Sequence, residues 1–219
     1  MRIRPILLLL FFLSGLSPLP ATNPEITLPH PLSYYTRQGI SATMLKQAFT
    51  GYLKLAKAGL IRREVLTLID FTRPSSEKRL YRIDMCSGAV ELCTWVAHGK
   101  MSGEEYASSF SNQINSLQSS LGFFITGNTY IGEHGLSLRL KGMDPGINDR
   151  AEDRAIVLHG ANYVSESFIQ THGRLGRSHG CPAVAPEIHR ELIESIRDGS
   201  CLFIYSTKDD YQRQSRWLH

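Results

Sequence analysis

The sequence has little of several features that would assign its class at once. Its 219 residues include only 4 cysteines, which is too few for a fold built on disulfides. The net charge is +4, and no cluster of Lys and Arg accompanies it, so a nucleic-acid-binding module has no support. Internal repeats and low-complexity tracts are also missing. Hydrophobic residues nevertheless make up 42% of the chain, which excludes wholesale disorder and suits one or two globular domains.

The longest apolar run near the N-terminus is too short to cross a membrane. Ile6–Leu13 would extend roughly 12 Å as a helix, whereas a bilayer core is ~30 Å thick. Arg2 and Arg4 precede the run, and Ala21 follows a proline-rich stretch. This pattern predicts a secretory signal peptide over residues 1–21, export to the periplasm or cell envelope, and no stable membrane insertion. Cleavage would lower the net charge from +4 to +2, and no cysteine follows the run to carry a lipid anchor.

Two helices are predicted from apolar periodicity and end signals. The first spans residues 41–58, with Ser41 as its N-cap and Gly59 as its stop. The second begins at Pro186 and is ended by Gly199. The rest of the chain favours short strands over helices.

Apolar runs rich in β-formers, bounded by turn residues, predict eight such strands. They are Val65–Phe71, Leu80–Asp84, Val90–Val96, Phe123–Thr126, Thr129–Ile131, Leu136–Leu140, Ala155–Leu158 and Cys201–Tyr205. Residues 99–120 carry seven serines and predict a long surface loop, a kind of segment that is often functional. The expected fold class is mainly β (α+β). The expected division is a signal peptide at 1–21, an N-terminal tail and helix at 22–62, a β-rich domain at 63–208 and a C-terminal tail at 209–219.

Export raises the question of whether Cys86 and Cys93 form a disulfide. The strands on either side of Ser87 and Gly88 predict a β-hairpin. In that hairpin Cys93 would face a residue near Arg82, while Cys86 would lie by the turn. The two cysteines would then be ~13 Å apart along the strand, so we expect no bond between them.

The densest group of reactive residues surrounds Cys181. A thiol becomes a useful nucleophile when a base or a positive charge favours its thiolate, and Arg174, Arg177 and His179 all lie within a few residues. His159, at the end of an apolar strand, could supply the base. A buried structural cysteine and a core histidine are the plain alternatives for each residue alone. Their combination in an exported chain favours a catalytic site.

This combination resembles a known catalytic signature. His159-Gly160, followed by Ser178-His179-Gly180-Cys181, is similar to the motif of the YkuD-type L,D-transpeptidases, and in particular to their murein L,D-transpeptidase catalytic domain branch. The resemblance extends over residues 41–206. Further matching stretches are Ile69-Asp70-Phe71, Ser75–Leu80, Ala97–Lys100, Ser119–Phe124, His134–Leu138 and Gly173–Arg177.

The resemblance implies a YkuD-like β-sandwich or barrel catalytic domain at 63–208 and a cysteine acyltransferase without a cofactor. Cys181 would be the nucleophile and His159 the base, oriented by a backbone carbonyl near Gly160. His179 and Gly180 would shape the pocket, and the Gly180 and Cys181 amides could hold an oxyanion. The implied substrates are peptidoglycan stem peptides, cross-linked 3→3 with release of D-Ala. Water as acceptor would give L,D-carboxypeptidase activity instead.

One position departs from the wider family, many members of which have Arg two residues after the nucleophile. Ala183 occupies that position here, so Arg174 or Arg177, or less favourably Arg139, would hold an acidic stem peptide. The expected substrate-binding residues are Gly180, Arg177, Arg174, Ser178, His98 and His134.

Two other classes of function remain as alternatives. A zinc peptidase could draw its ligands from the histidines, but the His-Glu-x-x-His pattern is missing. Those histidines are His98, His134, His159, His172, His179 and His189. Asp144–Asp149 predicts a turn, since a calcium loop needs more regularly spaced oxygens. A non-catalytic wall-binding module is the other alternative, and the sequence leaves the oligomeric state open.

Overall fold

The computed structural model describes residues 28–219, so the predicted signal peptide lies outside the described residues. Five helices are present within that range: α1 (Leu32–Thr36), α2 (Ala42–Lys57), α3 (Glu166–His172), α4 (Pro186–Ile196) and α5 (Asp209–Gln214). The eight strands are β1 (Val65–Asp70), β2 (Leu80–Asp84), β3 (Val90–Thr94), β4 (Gly122–Gly132), β5 (Gly135–Gly142), β6 (Val157–Gly160), β7 (Ala183–Val184) and β8 (Cys201–Tyr205). No described helix combines the length and apolar character needed to span a membrane.

The strands form one sheet in the order β3-β2-β1-β8-β4-β5-β6-β7. Neighbours are antiparallel except for the parallel pairs β1–β8 and β6–β7. Beyond the end of β3, Ala97 bridges to Ala183 in β7, so the two outer strands of the sheet approach one another. The result is a nearly closed, barrel-like sheet, and the prediction of a mainly β fold is confirmed.

Helix α2 covers the sheet and belongs to its core. The predicted N-cap is present, since the Ser41 hydroxyl accepts from the Met44 amide at 3.4 Å. Met44 and Leu55 are fully buried in the main apolar cluster, together with strand residues such as Phe123. Gly51 lets the helix approach that closely, because a Cβ there would overlap the Phe123 ring.

The predicted C-terminal tail, 209–219, contains α5 and contributes Tyr211 and Trp217 to the same core. Asp144 fastens this segment, since its carboxylate accepts from the Ser215 hydroxyl and from the Phe123 amide. These contacts join the C-terminal residues to the sheet. The division of the chain into an extension, a domain and a tail stays a prediction.

The predicted hairpin is formed by β2 and β3, with a register one residue from the expected one. Cys93 lies opposite Tyr81 rather than Arg82. Cys86 and Cys93 are both exposed, and all four cysteines are free in the structure. The long loop predicted over residues 99–120 is present as residues 99–121. It lies against the residues that precede β7.

Candidate active site

Two adjacent parallel strands bring the predicted base and nucleophile to one end of the sheet. His159 in β6 lies opposite Ala183 in β7. Cys181 is two residues before Ala183, so in the parallel register it lies beside the N-terminal end of β6, near Val157. The His159 amide donates to the Pro182 carbonyl at 3.4 Å, which ties the two segments together directly next to Cys181.

The ring of His159 is held in one orientation and one tautomer. It is 1% exposed, and its Nδ1 lies 3.0 Å from the Gly160 carbonyl oxygen. Because a carbonyl only accepts, Nδ1 carries the hydrogen and Nε2 keeps its lone pair. Burial lowers the pKa of His159, so the ring is neutral at neutral pH. His134 stacks on this ring, with the centroids 4.3 Å apart.

Cys181 is half-buried, and its thiol rests in the protonated form. Burial raises the pKa of Cys181, while backbone amides and the charge of Arg154 act in the opposite direction. Its Sγ lies 3.7 Å from the Ala155 carbonyl oxygen. A neutral thiol needs a base before it can attack a carbonyl, which is the property that the neutral His159 offers.

The turn before Cys181 depends on Gly180, which has φ +128°. A Cβ at that position would lie 2.8 Å from the Gln118 carbonyl oxygen, so only glycine fits. Its amide donates to the Ser178 hydroxyl at 3.0 Å, and is therefore engaged within the turn rather than free for an oxyanion. The Cys181 amide makes no hydrogen bond within residues 28–219. Of the two amides predicted to hold an oxyanion, only that of Cys181 is available.

Ser178 and His98 were both predicted to contact substrate, and the structure places both beneath the surface. The Ser178 hydroxyl donates to the Cys181 carbonyl at 2.6 Å, which closes the turn. His98 is fully buried: its Nδ1 accepts from Arg79 at 2.8 Å, and its Nε2 bonds to the Gly103 carbonyl. Burial, aided by the Arg79 charge, lowers the pKa of His98 to about 4. With both ring nitrogens bonded, the His98 side chain lies beneath the surface and has no free nitrogen for a substrate.

The two predicted carboxylate-binding arginines are held by a carboxylate of the protein itself. Arg174 and Arg177 both pair with Glu104, at 3.0 and 2.6 Å. Arg177 also donates to the backbone carbonyls of Lys100 and Gly103. Glu104 is 70% exposed, so another carboxylate can reach the same pair.

The other predicted residues lie further from the reacting atoms. His179 is exposed, and its Nε2 lies 3.3 Å from the Lys100 ammonium. Arg139 packs over the ring of Tyr130, 4.5 Å from its centroid. Neither contact places these side chains between His159 and Cys181.

The chain is similar to a known protein family and to several solved structures. The L,D-transpeptidase catalytic domain family (YkuD_2) matches residues 36–205. The chain belongs to this family. No curated protein matches it significantly.

Solved structures similar to this family member include an L,D-transpeptidase from Mycobacterium smegmatis, with 14% identity and a TM-score of 0.41 over 65% of this chain and 59% of that one. An L,D-transpeptidase from Enterococcus faecium is 12% identical, with a TM-score of 0.40 over 65% of this chain and 50% of that one. The helical cell shape determining protein of Campylobacter jejuni is 14% identical, with a TM-score of 0.42 over 70% of this chain and 53% of that one. The chain therefore spans about half to three-fifths of these proteins.

One charged residue of this site was not predicted from the sequence. The Arg154 guanidinium lies behind Gly180, with Nη2 3.3 Å from the position that a Cβ on Gly180 would occupy. Burial lowers the pKa of Arg154, whereas the neighbouring Cys181 raises it. Arg154 stands in the turn before β6 among several other charged residues, so neither periodicity nor motif spacing distinguishes it.

A cavity of about 430 Å³ lies next to the β4–β5 hairpin and is lined by residues that adjoin His159. His134, which stacks on His159, and Gly160 both contribute to its wall. The complete lining is Glu133, His134, Gly160, Ala161, Asn162, Tyr163, Pro186 and His189. Within residues 28–219, no group of three or more His, Cys, Asp or Glu side chains is arranged to hold a metal ion.

Proposed function

We propose that the protein is a cysteine-dependent L,D-transpeptidase that acts on peptidoglycan stem peptides in the cell envelope. One observation carries the proposal. His159, neutral and with Nδ1 fixed by the Gly160 carbonyl, lies in the strand that pairs with the segment following Cys181. That arrangement supports a base and nucleophile pair for acyl transfer.

In the first half-reaction, His159 Nε2 removes the thiol proton of Cys181. The thiolate attacks the carbonyl of the third stem residue, a diamino acid, while the Cys181 amide donates to the oxyanion that forms. Collapse of the intermediate breaks the bond to D-Ala. The imidazolium of His159 gives its proton to the departing amine, which leaves a thioester on Cys181.

In the second half-reaction, the amine of another stem peptide attacks the thioester. His159 accepts the proton of that amine and returns a proton to Cys181, so the products are a 3→3 cross-link and the free enzyme. The cavity is lined by His134, which stacks on His159, and by Gly160. The exposed carboxylate of Glu133 on its wall attracts an ammonium group. These features support this cavity as the route of the acceptor.

Recognition of the donor is assigned to Arg174 and Arg177. Stem peptides are acidic, and a pair of guanidinium groups is well suited to bind a carboxylate. Glu104 occupies the pair in the structure. A donor carboxylate would replace it, and the exposed Glu104 side chain would move into solvent.

The test is incubation with disaccharide-tetrapeptides followed by mass analysis. Dimers that disappear with Cys181→Ala, but persist with the matched control Cys93→Ala, support transpeptidation. Cys93 suits the control because it is exposed and lies on β3, outside the site.

Other products would redirect the proposal. Tripeptides without dimers indicate an L,D-carboxypeptidase that uses water as acceptor. Dimers that persist with Cys181→Ala contradict the assigned nucleophile, and activity that disappears with a chelator indicates a metallopeptidase.

A further inference from the structure

We propose that Arg154 is a positioning residue for Cys181, fixing the turn before the nucleophile through the 99–121 loop and supplying a positive charge behind the thiolate. The inference rests on the proposed role of Cys181. It assigns to Arg154 two separable tasks, one mechanical and one electrostatic.

All four Nη hydrogens of Arg154 are committed to this loop. Nη1 donates to the Ser111 carbonyl and the Ser120 hydroxyl, both at 2.5 Å. Nη2 donates to the Ser116 hydroxyl at 3.1 Å and to the Gln118 carbonyl at 2.5 Å. A planar guanidinium bonded on both branches has a fixed orientation. The Arg154 side chain therefore holds the loop in place and is not free to bind substrate.

Ser119 connects the loop segment held by Arg154 to the turn before Cys181. Arg154 bonds to the residues on either side of Ser119, and the Ser119 hydroxyl donates to the Gly180 carbonyl at 3.1 Å. The Gly99 amide donates to the same hydroxyl at 3.0 Å. Ser119 thus connects Gly99, at the start of the loop, with Gly180, the residue before Cys181.

Backbone strain in the loop indicates that this arrangement is enforced. Asn115 and Leu117 have φ of +61° and +57°, a conformation that disfavours residues other than glycine. Such strain persists only where surrounding contacts determine the conformation, and it concentrates at functional sites. The Arg154 bonds to Ser116 and Gln118 flank Leu117 and supply those contacts.

The charge of Arg154 acts on Cys181 from a short distance. Ala155, the next residue, has its carbonyl oxygen 3.7 Å from the Cys181 Sγ. The Arg154 charge lowers the pKa of Cys181, against the effect of burial. Arg174 and Arg177, by contrast, share the carboxylate of Glu104. Arg154 has no carboxylate partner among the described ion pairs, so its charge is uncompensated there.

The experiment measures the rate at which iodoacetamide alkylates Cys181 as a function of pH, with mass analysis at the peptide level to separate Cys181 from the exposed cysteines. Arg154→Gln is expected to shift the profile to higher pH and to slow alkylation at pH 7 by about tenfold. Arg154→Lys keeps the charge and should restore most of that rate. Arg150→Gln, which removes a charge four residues earlier, should leave the profile unchanged.

An unchanged profile in folded Arg154→Gln, or equal shifts in the Gln and Lys variants, would overturn the electrostatic task. Ser119→Ala tests the mechanical task and removes only a hydroxyl. It should slow acylation of Cys181 by a carbapenem about threefold without moving the alkylation profile, and an unchanged acylation rate would overturn that task even if Arg154→Gln does not fold. Alkylation needs no peptidoglycan, so the failure of transpeptidation and the failure of this inference are distinguishable.

Discussion

The two halves of the candidate site are built in different ways. His159 lies in a strand, and backbone pairing with β5 and β7 sets its position. Cys181 follows an irregular turn that depends on the glycine φ at position 180 and on side-chain bonds from Ser119 and Ser178. The proposed base is therefore positioned by regular structure, whereas the proposed nucleophile is positioned by a loop. Substitutions on the two sides should fail in different ways.

The base side should show the largest loss of activity with the smallest loss of stability. His159→Gln removes proton transfer in both half-reactions, so acyl transfer should fall about 100- to 10,000-fold. Transfer rates measured with disaccharide-tetrapeptides, together with thermal melting, check this. A variant that keeps more than a tenth of the activity would contradict the assignment of His159 as base.

The nucleophile side should lose both activity and stability on Gly180→Ala. The added Cβ would meet the Gln118 carbonyl at 2.8 Å in a backbone with φ +128°, which costs on the order of 1–3 kcal/mol. Displacement of Cys181 should lower acyl transfer at least about tenfold.

Gly173→Ala is the matched control for that substitution. Gly173 also has a positive φ, +72°, but nothing lies within 4 Å of its Cβ position. It should lose stability while keeping the rate of the folded protein. Equal loss of rate in the two variants would contradict a specific role for the turn at Gly180.

A smaller effect is expected from the ring that covers the base. His134→Ala would expose His159, whose pKa is lowered chiefly by burial. That pKa should rise, and because the neutral form is the base, activity should be lost at a higher pH than in the wild type as pH falls. His134→Phe keeps a stacked ring and should retain the original acid limb. A pH–rate profile that does not move in His134→Ala would contradict the role of the stack.

The smallest effect is expected from the carboxylate that occupies the arginine pair. Glu104→Gln frees Arg174 and Arg177, so the KM for an acidic stem peptide should fall about two- to fivefold, the range of an exposed ion pair. Glu105→Gln is the control, because Glu105 contacts Ser76 instead. A rise in KM for Glu104→Gln would mean that Glu104 orders the arginines rather than competing with substrate.

The local sequence was sufficient to predict those helices and strands whose caps, apolar faces or apolar runs lie within the element itself. Helix α2 has a cap, an apolar face and a stop, and β8 is a short apolar run in which every residue is buried. The reverse holds for α3, which buries no residue and therefore shows no apolar periodicity. Helix α5 is equally polar, and its place depends on the long-range contact between Asp144 and Ser215.

The candidate site likewise contains residues with local sequence signals and residues whose roles depend on long-range contacts. His159 and Cys181 could be proposed from the sequence because each lies in a specific local motif. Arg154 and Ser119 could not, since their roles depend on a loop of polar residues folding back over the turn. The same limit explains His98, which resembles a cleft residue at a strand end until Arg79, distant in the chain, is placed beneath it.

The central claim is that Cys181 is the nucleophile activated by His159. Intact-mass analysis after incubation with a carbapenem tests it most directly, because a covalent adduct reports the first half-reaction alone. The account predicts one adduct per chain in the wild type and in Cys93→Ala, slow formation in His159→Gln, and none in Cys181→Ser. An absent adduct in the wild type, or an undiminished adduct in Cys181→Ser, would contradict it.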